Sequence, residues 1–282
     1  MNREARLNSK ILLSGNTLRL FSVSFISFVL RYGSFAGVIL ETLLIYNSRF
    51  FKAMLYAYND TVVFTAFVFA EILILTAVLI FSAAVKAGED FVFFTRSQGA
   101  KGHFSLLFKY IAPKKAFAFF RLYLKINALK ILWLMYFLSP FLFCFAGTYY
   151  LYASSYLSQT VYYILCIGSS LLLSISIIMW RFAVLRYSAA PYYLCLNIKR
   201  GVNAVINKSI RFTDGFLADG VVLEYSSLGW ILSCIFIAPV IYAVPYIKLT
   251  KAVFVSQGVF RNAPQPITTY AVNFLKSGEH IN

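Results

Sequence analysis

Apolar positions along this chain gather into long runs, and five runs reach the ~20 residues that a helix needs to cross a bilayer. They cover about 20–46, 61–85, 128–150, 161–183 and 221–247. From Ile131 to Trp180 there is no charged residue and no histidine, which predicts a hairpin of two spans. Its tip carries Tyr149, Tyr150, Tyr152, Tyr156, Tyr162 and Tyr163, rings that suit a membrane–water boundary. Pro140 predicts a kink in the third span, because it lacks an N–H and crowds the preceding turn. The fold class expected is all-α: a polytopic helical membrane protein with five transmembrane helices, a proline-broken or re-entrant final segment and amphipathic interfacial helices.

Two shorter stretches have helical periodicity with one polar face. After Ile198, Arg200, Asn203, Asn207 and Arg211 share one side, and Val202, Val205, Ile206 and Ser209 the other, a pattern suited to the headgroup boundary. Asp214-Gly215 and Asp219-Gly220 should then break the helix. From Lys114 to Ile126, Lys114, Arg121 and Lys125 oppose Phe119, Phe120 and Tyr123. This stretch is expected to lie on the inner leaflet before the chain turns into the membrane. The five basic side chains Lys114, Arg121, Lys125, Arg200 and Arg211 form a candidate anionic-lipid surface.

Charge settles the organisation. Residues 1–19 are a basic N-terminus, 20–263 a single integral-membrane domain and 264–282 a flexible tail. Basic residues concentrate at the N-terminus and in 86–127, which places both in the cytoplasm. Five spans would then leave Lys248, Lys251, Arg261 and Lys276 outside, against that bias. Either Pro239 and Pro245 break the last segment into a re-entrant pair, or an apolar piece near Phe104 to Phe120 also crosses.

Composition agrees with a membrane solvent: 60% of the 282 residues are hydrophobic and 13% charged. A net charge of +16 could suggest nucleic acid, but its placement between apolar runs points to anionic lipid, and no nucleic-acid partner is expected. The four cysteines are widely spaced, without a disulfide framework.

Arg31 and Glu71 fall inside the first two spans, at depths that differ by roughly 6 Å for antiparallel helices. A charge at mid-membrane costs on the order of 3 kcal/mol, so the two form a candidate intramembrane ion pair, either a structural lock or part of a proton or ion pathway. Gly33 and Gly37 form a GxxxG pattern on the same span, which permits close approach of a neighbouring helix. No HExxH, GxxxxGK[ST] or GxSxG occurs, and His103 has no partner at ligand spacing. Asp214 and Asp219 could serve as metal ligands or as acid and base, but helix breaking and capping explain them without catalysis.

Asn197, Ser209, Asp214-Gly215, Ser226, Gly229-Trp230 and Pro245-Tyr246 occur in the order of an uncharacterised bacterial integral-membrane family, domain of unknown function 975, which the chain resembles. Ser14-Gly15-Asn16, Gly88 and Leu132-Trp133 fit the same pattern, although Pro140-Phe141 stands where the family tends to have Pro-Gly. More distantly the chain is similar to membrane regions that precede glycerophosphodiester phosphodiesterase domains, and it has no such domain itself. The resemblance implies a multi-pass protein of a bacterial plasma membrane, and the positive charge of residues 1–19 puts the N-terminus in the cytoplasm. The function expected is non-enzymatic binding of membrane lipids, anionic ones foremost, or of a membrane protein partner, with no cofactor. The alternative is a small transporter or channel using Arg31 and Glu71.

Overall fold

The computed structural model describes residues 2–48, 52–54, 56, 60–100, 102–198, 201–235 and 237–260. Its elements are α1 (Asn2–Leu13), α2 (Thr17–Asn47), α3 (Asp60–Ser97), a 3₁₀ turn (Phe104–Phe108), α4 (Pro113–Ala153), α5 (Gln159–Leu185), α6 (Ala190–Leu196), α7 (Val202–Asp214), α8 (Leu217–Ser226), α9 (Leu228–Ser233) and α10 (Ile237–Phe260). The fold is all-α. Among the described residues, α2, α3, α4 and α5 lie in the four helices long and apolar enough to cross a membrane.

These four helices form two hairpins, α2 with α3 and α4 with α5, and each is divided along its length. Their most apolar windows bury no more than 17% of their residues, so Leu43, Phe69, Phe143 and Ile167 all present their side chains outward. At the other end the exposure reverses. Phe91, Phe93 and Phe94 of α3, Phe119 and Leu122 of α4, Leu194 of α6 and Leu249 of α10 are fully buried there, together with Leu13, Leu20 and Tyr110. A water-soluble protein would not leave so wide an apolar surface bare. Lipid covers that half and water meets the packed half.

Length produces the division. With 38 residues in α3 and 41 in α4, the helices run about 57 and 62 Å at 1.5 Å per residue. That is nearly twice a bilayer core of about 30 Å. The expectation of an inner-leaflet helix over 114–126 is therefore corrected: that stretch is the first third of α4. No Gly or Pro interrupts it before Pro140, and Ala116, Phe119, Leu122 and Ile126 bury one continuous stripe.

The last apolar run differs from expectation too. Residues 221–247 are not one span: they fall in α8, α9 and α10, with turns at Ser227 and at Cys234-Ile235. Neither break lies at a proline. Pro239 sits in the first turn of α10, where its missing N–H costs least, and Pro245 lies inside that helix. Nor does Phe104 to Phe120 cross, since it supplies the 3₁₀ turn and the start of α4.

Two glycines explain local geometry. Gly15, at φ +76°, ends α1 in the left-handed conformation, with the Asn16 N–H bonded to the Leu13 carbonyl at 2.9 Å, and so reverses the chain into α2. Gly220 does not break a helix as Asp219-Gly220 was expected to do. It is buried within α8, where a Cβ would come within 2.5 Å of the Leu185 side chain of α5, so it serves close packing. Asp214-Gly215 does end α7. The α4–α5 connection holds Ser155 at φ 60°, a conformation that costs a non-glycine residue ~1–2 kcal/mol. Ser155→Gly is expected to raise the thermal midpoint by a few degrees in a detergent melt.

Candidate functional site: a basic cavity under the N-terminal helix

α1 is amphipathic: Ala5, Ser9 and Leu13 are buried, while Arg3, Arg6 and Lys10 follow one another at helical spacing on another face. The helix packs along α10 and touches α8. Arg96 fixes its C-terminal end, donating from Nε and Nη2 to the Leu12 carbonyl at 3.2 and 2.9 Å. A cation on open carbonyls suits that end of a helix.

Beneath α1 lies a cavity of about 330 Å³. Arg3, Arg6 and Lys10 form one wall. Ser226, Ser227, Trp230, Tyr246 and Thr250 of α8, α9, α10 and the turn between α8 and α9 face them, and no carboxylate lines the space. Arg6 Nε is buried without a hydrogen-bond partner among the described residues. Trp230 packs its ring against Tyr242 and Tyr246 with centroids 5.3 and 5.6 Å away. Burial pushes the Tyr246 hydroxyl above its usual pKa, so it is a neutral donor at physiological pH. Beside the cavity Tyr225, Leu228, Ile231 and Leu232 are exposed. Ser226, Ser227 and Thr250 donate to backbone carbonyls of their own segments, so three cations, the Tyr246 hydroxyl and an apolar rim are what can accommodate an anionic, amphipathic ligand.

The cavity is level with a buried charge cluster. Glu89 of α3, 3% exposed, pairs with Lys248 of α10, which lies between the cavity residues Tyr246 and Thr250. The Ser27 hydroxyl donates to Glu89 at 3.0 Å, and an Arg31 nitrogen stands 4.0 Å away. Lys248 also donates to Ser24 at 3.3 Å. Glu89 thus ties α2, α3 and α10 together.

The expected Arg31–Glu71 pair is not formed. Arg31 turns to Glu89, and Glu71 accepts from the Thr42 hydroxyl at 2.9 Å. Thr42 marks the level of Glu71 on α2, and Arg31 is eleven residues away, about 16 Å along the helix. The expectation ended the second span at Val85, whereas α3 continues and brings Glu89 within reach. Lys114, Arg121 and Lys125 are exposed on α4, and Arg211 is exposed on α7. Lys125 donates to Asn203 of α7, so the two basic faces adjoin. Arg200 lies outside the described residues. The buried and exposed faces of α7 are those the sequence pattern assigned: Val205, Ile206 and Ser209 in, Asn203, Asn207 and Arg211 out. Ser209 and Thr213 both donate to the Arg186 carbonyl, at 2.7 and 3.2 Å. Gly33 and Gly37 have no neighbour within 4 Å of an added Cβ. His103 is exposed, and no group of three metal-ligating side chains occurs among the described residues.

Sequence reasoning treated Arg3, Arg6 and Lys10 as topology signals and so missed their site. The available clue was the spacing of Ala5, Ser9 and Leu13 behind them.

Fold and exposed surface together define an all-α polytopic helical membrane protein. The chain matches no family model, no curated protein and no solved structure.

Proposed function

We propose that this is a non-enzymatic protein of the bacterial plasma membrane that holds an anionic lipid headgroup in the cavity under α1. The observation that carries this reading is the convergence of Arg3, Arg6 and Lys10 on a space lined by hydroxyls and by no carboxylate. A lipid phosphate would meet the guanidinium and ammonium groups there. Its acyl chains would run past the exposed Leu228, Ile231 and Leu232. The N-terminus lies on the cytoplasmic side in this reading, in keeping with its positive charge. A family resemblance to domain of unknown function 975 belongs to the same proposal.

Distance favours α1 over the start of α4 as the lipid contact. Lys130 is the last charged residue before the uncharged run that opens at Ile131, and Lys114 precedes it by sixteen residues, about 24 Å along the helix, well beyond a screening length of about 8 Å. The transporter alternative relied on Arg31 and Glu71 sharing a path, and these side chains keep separate partners.

Native mass spectrometry of delipidated protein re-exposed to phosphatidylglycerol or phosphatidylcholine tests the proposal. Wild type is expected to retain phosphatidylglycerol selectively. Arg6→Gln is expected to weaken that retention about tenfold, the effect of losing one charge-assisted bond, and Lys114→Gln to leave it unchanged. Equal retention of both lipids by wild type would sink the reading.

A further inference from the structure

A second cavity, of about 150 Å³, lies among α3, α4, α5, α6, α8 and α10. Lys86, Lys130 and Lys251 line it with Asp90, Glu224 and Tyr123. Both carboxylates are engaged. Asp90 accepts from the Tyr123 hydroxyl at 2.9 Å, and Glu224 takes Arg181 at 2.8 Å and Lys251 at 3.8 Å. The Lys86 ammonium stands 4.7 Å over the Tyr123 ring. Among the described residues, no carboxylate comes within ion-pair distance of Lys86 or Lys130, and both are half-buried. The fields of Lys86, Lys251 and Arg181 reach Lys130, with Glu224 opposing them. Asp90 and Glu89 act on Lys86, and Glu224 on Lys130, only from beyond ion-pair distance, and half-buried ammonium groups without a close counter-charge are costly.

We propose that this cavity binds one phosphate-type oxyanion, held by the Lys86, Lys130 and Lys251 ammonium groups. The site is separate from the α1 cavity and does not depend on it. Its volume is several times the roughly 10–15 Å³ that one water needs, room for a tetrahedral anion. Two sources supply that chemistry: free phosphate, and a phosphomonoester headgroup. A third cavity, of about 130 Å³, shares the walls Leu185, Ser188, Glu224 and Lys251. Its lining includes Ile247, Phe254 and Ile231, and the last of these is exposed.

The protein carries its own reporters. Of its three tryptophans, Trp133 donates to the hydroxyl of the lining residue Tyr187 at 2.9 Å, and Trp180 donates to the Lys130 carbonyl at 3.0 Å. Trp230→Phe removes the third, which belongs to the α1 cavity. The Trp230→Phe protein, full length in detergent, is titrated with inorganic phosphate, and in nanodiscs of phosphatidylcholine with and without phosphatidate its emission is compared. A saturable change with phosphate assigns the site to free anion, and a change only with phosphatidate assigns it to a headgroup. Lys130→Met is expected to weaken the response about tenfold, and Arg6→Gln to leave it intact. In an Arg6→Gln background, which weakens the α1 cavity, Lys130→Met should also melt no lower than its parent without anion, and lose most of the rise in melting temperature that phosphate or phosphatidate gives that parent. Lys86→Met provides the same comparison independently. No saturable response in either arm, or an undiminished one in both lysine variants, would overturn the proposal.

Discussion

Gly88→Ala is expected to prevent the packed end of the molecule from forming as described. A Cβ at this position would stand 1.9 Å from the carbonyl oxygen of Leu107, 2.6 Å from its carbon and 2.9 Å from its Cα. All three atoms are backbone, so no rotamer relieves the clash. The 3₁₀ turn would have to move off α3. Leu107 and Tyr110 are both fully buried, and Tyr110 meets Phe91 edge-on at 5.7 Å, so that movement would open the core. Overpacking costs about 1–3 kcal/mol where side chains can adjust, and a fixed backbone contact places this case at ~3 kcal/mol or above. Gly33→Ala is the control, because it meets nothing within 4 Å and gains up to ~1 kcal/mol of helix propensity. Thermal melts of the two variants in one detergent should separate by more than ten degrees, and a Gly88→Ala melt close to wild type would contradict the contact.

The second large effect is expected at Glu89. Glu89→Leu leaves Lys248 and Arg31 without the carboxylate that joins them across α2, α3 and α10. Breaking one side of a buried ion pair costs about 3–5 kcal/mol. The lower figure applies here, because the side chains of Lys248 and Arg31 keep 39% and 22% of their exposure. Glu89→Leu combined with Lys248→Met should recover most of the loss, since the second change removes the stranded charge. A double variant no better than the single one in denaturant unfolding would show that Glu89 acts through Ser27 or Arg31 instead.

The sequence disclosed what depends on local period and solvent. The lipid-facing halves of the four long helices could be read from apolar runs, and the face of α7 from 3.6-residue spacing. Where α3 and α4 end could not, because the charges that close an apolar run do not stop a helix. Lys86, Glu89 and Asp90 ended the predicted second span, yet α3 continues through them to Ser97, because Lys248 takes up Glu89, Tyr123 donates to Asp90 and the Tyr123 ring lies under Lys86. Arg31 was consequently matched to the wrong glutamate. The breaks in 221–247 were hidden for the converse reason. Ser227 and Cys234 are weak signals, whereas Pro239 and Pro245 are strong ones that the fold accommodates.

The length of α4 also makes it a lever. Its apolar half lies in lipid and its first third reaches into the packed end, so changes in bilayer thickness that alter helix tilt would act on both. A change of about ten degrees, pivoting near Lys130, carries Lys114 sideways by about 4 Å over its 24 Å arm. Lys125 holds Asn203 across that arm, and α7 would have to travel with it. A change in membrane thickness that tilted α4 would therefore be felt at the packed end, through the Lys125–Asn203 bond.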